Sequence, residues 1–172
     1  MKWAYIDESI RPGRMVLAAV VVDTRDVRDV RLALRSALLP GQRRLHLTDE
    51  RPSRRHLILD LVARQPLIGL TASASTHGHR HADVRHDLLT GVVRALAVQD
   101  VRRMVLDRVA EELLEVDRAT ISAALVDMAG PVIYDHEPSA GDPMLWAADA
   151  LAWSVGAGGH SATRLARILR SP

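Results

Sequence analysis

Lys2-Trp3-Ala4-Tyr5-Ile6-Asp7-Glu8-Ser9, then Arg11-Pro12-Gly13-Arg14, then Met15-Val16-Leu17-Ala18-Ala19-Val20-Val21-Val22-Asp23: this stretch decides the fold. Its first part reads as a strand from Lys2 to Asp7. Pro12 and Gly13 punctuate a turn. Met15 to Asp23 is apolar throughout, so it is expected as a central strand covered on both faces. The short link between the two runs makes them an antiparallel hairpin. The first strand delivers two carboxylates, Asp7 and Glu8, at its end.

Strand and helix patterns alternate downstream. Thr24 is placed to cap a helix reaching Leu39, with Val27, Val30, Leu34, Ala37 and Leu38 as its apolar stripe. Arg44 to Leu47 reads as a short strand or extended edge. Ser53 begins a second helix with Leu57, Leu61 and Val62 facing inward, and Leu67 to Ser75 is a third strand. A helix follows from Asp83 to Val98, then a strand from Val101 to Asp107. A polar segment with Glu111, Glu112 and Glu115 leads to a helix from Arg118 to Met128. Val132 to Tyr134 is the last strand. Asp142-Pro143 is a favourable start for a helix ending near Gly156–Gly159, and a short basic helix closes the chain. A leading hairpin followed by alternating elements implies a mixed α/β sheet flanked by helices. No linker or repeat divides residues 1–172, so one domain is expected.

The acids carry the chemistry. Asp7 and Asp107 each end an apolar strand and precede a polar loop, and sites in open α/β sheets lie beyond strand ends. Asp149 is the sole charged residue between Pro143 and Gly159, amid Leu145, Trp146, Ala148, Leu151 and Trp153. An unpartnered carboxylate there costs several kcal/mol or takes up a proton. Three carboxylates from three elements form a hard-oxygen donor set suited to Mg²⁺ or Mn²⁺. Two such ions activate water and stabilise a leaving oxygen in phosphodiester cleavage. Taken singly, Asp7 and Asp107 also fit as turn or cap residues.

Tyr5-Ile6-Asp7-Glu8-Ser9 resembles the N-terminal "IDES" signature of domain-of-unknown-function family 3800. Leu145-Trp146-Ala147-Ala148-Asp149-Ala150-Leu151-Ala152 is similar to that family's "LQLADLVA" pattern, and Val105-Leu106-Asp107-Arg108 to its strand ending in Asp. Leu45-His46 and the stretch from His136 to Ser139 also resemble family positions. Ile10 and Arg11 depart from the usual Gly-Asp, and Trp146 from the glutamine. The resemblance implies a ribonuclease H-like fold with a carboxylate metal site on Asp7, Asp107 and Asp149. It leaves a fourth acid unassigned; Glu8 is the first candidate, ahead of Glu111 and Asp83. His46 is read as a proton shuttle or phosphate contact, or as a hydrogen-bonded strand-edge histidine.

Composition narrows the alternatives. The chain has no cysteine, which excludes disulfides and thiolate nucleophiles and fits a reducing cytoplasm. No leader and no membrane span are expected. Formal charge is +2, and Lys2 is the sole lysine beside many arginines. Phenylalanine is absent and tyrosines number two, which argues against an aromatic base-stacking sheet. Gly156 to Gly159 lacks a phosphate-loop ending. Arg44, Arg54, Arg55 and Arg108 are the expected phosphate contacts of an RNA or DNA substrate. His77, His79 and His81 form the densest histidine group, read as a solvated loop rather than a zinc site. These features predict a Mg²⁺- or Mn²⁺-dependent nuclease. The rivals are a non-catalytic binding module on the same fold and a metal-dependent phosphatase or nucleotide hydrolase.

Overall fold

The computed structural model describes residues 1–126 and 131–170. Five strands form one sheet: β1 (Lys2–Arg11), β2 (Arg14–Asp23), β3 (Ile68–Ser75), β4 (Val101–Asp107) and β5 (Ile133–Glu137). Their spatial order is β3-β2-β1-β4-β5. β1 pairs antiparallel with β2 and parallel with β4, while β2–β3 is antiparallel and β4–β5 parallel. The helices are α1 (Val27–Arg35), α2 (Pro52–Ala63), α3 (His81–Ala97), α4 (Glu111–Leu125), α5 (Pro143–Ala157) and α6 (Gly159–Arg164). The mixed, helix-flanked sheet expected from the sequence is the one observed.

Strand alternation builds two cores. Tyr5, Val16, Ala18, Val20 and Val105 face α1, α2 and α5. Ala4, Ile6, Leu17, Ala19, Met104 and Leu106 face α3 and α4. Both sides of β2 are therefore buried, as its unbroken apolar run requires. α5 is buried from Pro143 to Ala152, so it is apolar on every side and lies against the sheet centre. Asp142 caps it, accepting the Met144 N–H at 3.0 Å. Leu169 forms a bridge with Gly69, which fastens the end of the described chain to β3.

Several elements differ from expectation. β1 does not stop at Asp7; the hairpin ladder runs on to Arg11↔Arg14, because β2 offers a partner along that whole length. Arg44 to Leu47 is irregular backbone, not a strand. α1 ends at Arg35, and neither Thr24 nor Ser53 caps a helix; Asp26 and Arg51 precede α1 and α2, with Pro52 opening α2. Leu57 faces solvent, since the buried side of α2 is Ile58, Leu59, Val62 and Ala63. α4 begins at Glu111 rather than Arg118, with Glu111 and Glu112 in its first turn, where acids complement the helix dipole. Its expected terminus, Met128, lies outside the described residues.

Gly13 carries the hairpin turn with φ of 76°, and any Cβ there would run into the His77 ring. Gly13→Ala is expected to cost about 1–2 kcal/mol from the left-handed backbone alone. A thermal melt checks this; at this chain length each kcal/mol lowers Tm by about 2–4 °C.

Candidate functional site

The sheet centre positions the first two acids. Ile6 pairs with Leu106, so the next residues, Asp7 and Asp107, are neighbours across the parallel ladder. Both follow the alternation of Tyr5 and Val105 onto the face covered by α5. Asp149, buried on α5, comes down over the same place. The three charges oppose one another. Burial holds the Asp7 carboxyl well above the usual carboxylate range, and Asp149 and Asp107 push it further. The Glu8 N–H, donating to Asp7 Oδ1 at 2.7 Å, relieves a part. Asp107 is raised too, chiefly by burial; the backbone N–H groups of Arg108 and Ser139 and the Arg44 charge oppose the rise, and Asp149 adds to it.

Asp149 is held from the other side. The Leu47 N–H donates to its Oδ2 at 2.8 Å, and His46 Nδ1 lies 3.2 Å from Oδ1. That hydrogen bond raises the His46 pKa against the opposing effect of burial. His46 is a third exposed while Asp149 is nearly sealed, so the imidazole connects the buried acid to solvent.

The arginines divide into two groups. Arg55 donates to the carbonyls of Leu47 and Thr48 at 2.7 and 2.9 Å and lies over the Trp153 ring. Arg54 bonds Glu50 Oε2 at 2.7 Å and the Ala37 carbonyl at 2.9 Å. Both therefore pin the loop that carries His46. Arg44 bonds Ser139 Oγ at 2.7 Å, close enough to Asp107 to ease its charge. Arg108 is exposed beside the acids.

Because β1 continues past Asp7, Glu8 faces the opposite side, where it pairs with Arg85. Glu8 nevertheless shares an opening with two of the acids: a cleft of about 150 Å³ is lined by Asp7, Glu8, Arg85, Asp107 and Arg108. Asp83 and Glu111 are exposed in the first turns of α3 and α4, and His77 and His79 sit in the exposed loop before α3.

Among the described residues, no three His, Asp or Glu side chains stand together as a ready metal cage. Asp149 has turned its oxygens to His46 and Leu47, and Asp7 has turned one of its own to Glu8. The donor chemistry still suits a hard divalent cation, whose charge would remove the repulsion raising Asp7. Closing around it requires the carboxylates to rotate.

No family model and no curated protein matches the chain. Among solved structures it is similar to the RNase HII of the PCNA:RNase HII complex from Archaeoglobus fulgidus, at a TM-score of 0.56. Identity is 14%, over 89% of this chain and 71% of that one. The fold is ribonuclease H-like.

In this ribonuclease H-like sheet a second polar group escaped the sequence reading. Arg85 Nε and Nη2 bond both oxygens of Asp117 at 3.0 and 2.8 Å, and His136 Nε2 lies 3.0 Å from Asp117 Oδ2. All this lies on the face away from Asp149, so His136 is not beside the acids. The available signal matched the one that marks Asp149: Arg85 and Asp117 are charges set within apolar helical stripes, beside Val84 and Leu88 and between Leu114 and Ile121.

Proposed function

We propose that this chain, as a single domain over residues 1–172, is a divalent-metal-dependent nuclease that hydrolyses phosphodiester bonds of RNA or DNA, and that it is a member of domain-of-unknown-function family 3800. One observation supports the reading: on one sheet face, Asp107 of β4 and Asp149 of α5 lie near enough to Asp7 of β1 to oppose its ionisation. Such a concentration of buried negative charge suits a cation-binding task. Asp7, Asp107 and Asp149 would hold Mg²⁺ or Mn²⁺; Glu8, which lines the same cleft from the other face, would serve as a fourth acid on leaving its pair with Arg85. The ion would supply an activated water and charge stabilisation at the leaving oxygen.

The remaining roles belong to the chain itself. Asp149 fixes His46 through Nδ1, which leaves Nε2 free to hold or give a proton at a phosphate or leaving oxygen. Arg44 and Arg108 supply positive charge at the mouth of the site. Arg54 and Arg55 act indirectly, by holding the His46 loop. A chain without cysteine suits a reducing cytoplasm, and among the described residues no helix is long and apolar enough to cross a membrane.

The test compares labelled RNA, DNA, hybrid and mononucleotide substrates in Mg²⁺, Mn²⁺ or EDTA. Polymers are expected to be cut only with metal, and Asp149→Asn to lose at least about a thousandfold. Cleavage that survives EDTA or the Asn variant overturns the reading, and hydrolysis confined to mononucleotides replaces it with a phosphatase. The engagement of both Asp149 oxygens by His46 and Leu47 favours a second reading, a binding module without catalysis. It predicts nucleic-acid binding unchanged in Asp149→Asn, with no cleavage by the wild type.

A further inference from the structure

A trough lies on the same sheet face as the acids, toward the start of β1. Tyr5 and Val105 lie two residues before Asp7 and Asp107, about 7 Å back along their strands. Together with Trp3, Arg31 and Arg103 they line a pocket of about 360 Å³, within the roughly 300–1,000 Å³ range of small-ligand sites. Its other wall is Glu137 and Asp142, so its guanidinium and carboxylate charges balance. Arg103 lies over the Trp3 ring at 5.3 Å and extends its flat surface. The Tyr5 hydroxyl accepts from Arg31 at 3.2 Å. An aromatic face among balanced donors and acceptors suits a planar heterocycle better than a bare anion.

The trough continues. Trp3 and Arg31 also line a second depression of about 440 Å³, whose far side is Arg28, Leu32 and Arg35 of α1. Arg28, Arg31 and Arg35 occupy one helical face. Arg31 is committed to Asp142 through Nε at 2.9 Å and through Nη2. Arg28 and Arg35 are exposed and, among the described residues, their side chains have no hydrogen-bond or ion-pair partner. Asp29 is the one acid on α1. Two free guanidinium groups about 10 Å apart along the helix, beside an aromatic pocket, suit a phosphodiester backbone with its bases turned inward.

We propose that an unpaired nucleotide strand runs from the three aspartates through this trough, one base lying against Trp3 and Arg103 and the following phosphates meeting Arg28 and Arg35. This rests on the nuclease reading above and names the substrate form and path. A base inside a pocket of this size cannot remain paired, so the strand is unpaired at this position.

The test is fluorescence anisotropy of a short labelled oligothymidylate in EDTA, with salt varied between about 50 and 200 mM. The Arg28→Gln/Arg35→Gln double variant is expected to bind about tenfold more weakly at the low end. Its slope of log affinity against log salt becomes shallower by about 1.4, or about 0.7 for each lost single-strand phosphate contact. Trp3→Leu is expected to weaken binding at least about fivefold without changing the slope. Arg94→Gln, on the α3 side of the sheet, changes neither, and melting curves confirm that each variant is folded. Wild-type affinity and slope in both trough variants overturn the proposal. So does an equal loss on blunt duplex, or competition by an acidic peptide as strong as by the oligonucleotide. If the trough variants bind normally while Asp149→Asn still abolishes cleavage, the path falls and the nuclease stands. If they weaken binding in a protein that cleaves nothing, the nuclease falls and the path stands.

Discussion

An Asp7→Asn chain is expected to be inactive and, without divalent metal, more resistant to heat than the wild type. Asp7 pays for its place: its carboxyl is buried and has Asp149 and Asp107 as neighbours. Asparagine removes the charge but keeps an oxygen for the Glu8 N–H. The repulsion disappears, and stability should rise by about 1 kcal/mol or more, a trade of stability against activity found at many active sites. Tm should increase by about 2–4 °C per kcal/mol. Metal reverses the order. A divalent ion that binds the folded state raises the wild-type Tm by mass action and leaves the variant nearly unmoved. Melting curves in EDTA and in Mn²⁺, run beside cleavage assays, check both halves. A variant less stable than the wild type in EDTA would mean that the three acids do not strain one another.

The second large effect lies on the opposite face. Arg85→Met leaves Glu8 without its partner and Asp117 with His136 alone, because Arg85 is bonded to both acids and is almost sealed from solvent. Removing one partner of a buried ion pair typically costs about 3–5 kcal/mol. That is a large part of the roughly 5–15 kcal/mol that holds a domain folded. Chemical denaturation should show the loss, and Asp117→Leu added to Arg85→Met should recover much of it by removing the abandoned charge. Acid acts on the same group. Burial raises Asp117, but His136 and Arg85 outweigh it and hold the carboxyl below its usual range. A depressed carboxylate contributes stability above the ordinary pKa of about 4 and loses it as pH falls through the folded value. The wild-type Tm should therefore fall steeply below about pH 4, and that of Asp117→Asn should fall less. Parallel acid profiles would remove Asp117 from the account.

What the sequence disclosed was local or conspicuous. The Asp142 cap is legible because it acts two residues away, on Met144. Asp149 is legible because a lone charge in an apolar helix needs a partner. The paired strand-end acids and the all-apolar β2 together imply the central sheet. What stayed hidden depends on partners distant in the chain. The length of β1 is set by β2 across the hairpin, so Asp7 reads as a terminus although the ladder continues to Arg11. Arg54 and Arg55 read as a free basic patch, because nothing in their own segment shows that they end on Glu50 and on the carbonyls of Ala37, Leu47 and Thr48. The start of α4 was masked by Asp117, a charge on its buried side that breaks the apolar period. Leu57 was misplaced because a stripe drawn through Leu61 lies off the side that α2 buries.

The central parallel pairing also dictates an order of events. Arg11 meets Arg14 almost at once, but Ile6 meets Leu106, a hundred residues later in the chain. Long closures cost entropy before any contact repays it, and they slow assembly. The hairpin can thus zip while Asp7 is still bathed in water, and dehydration of that carboxylate waits until β4 docks beside it. The unfavourable electrostatic step belongs to the long-range closure, after the local hairpin has formed.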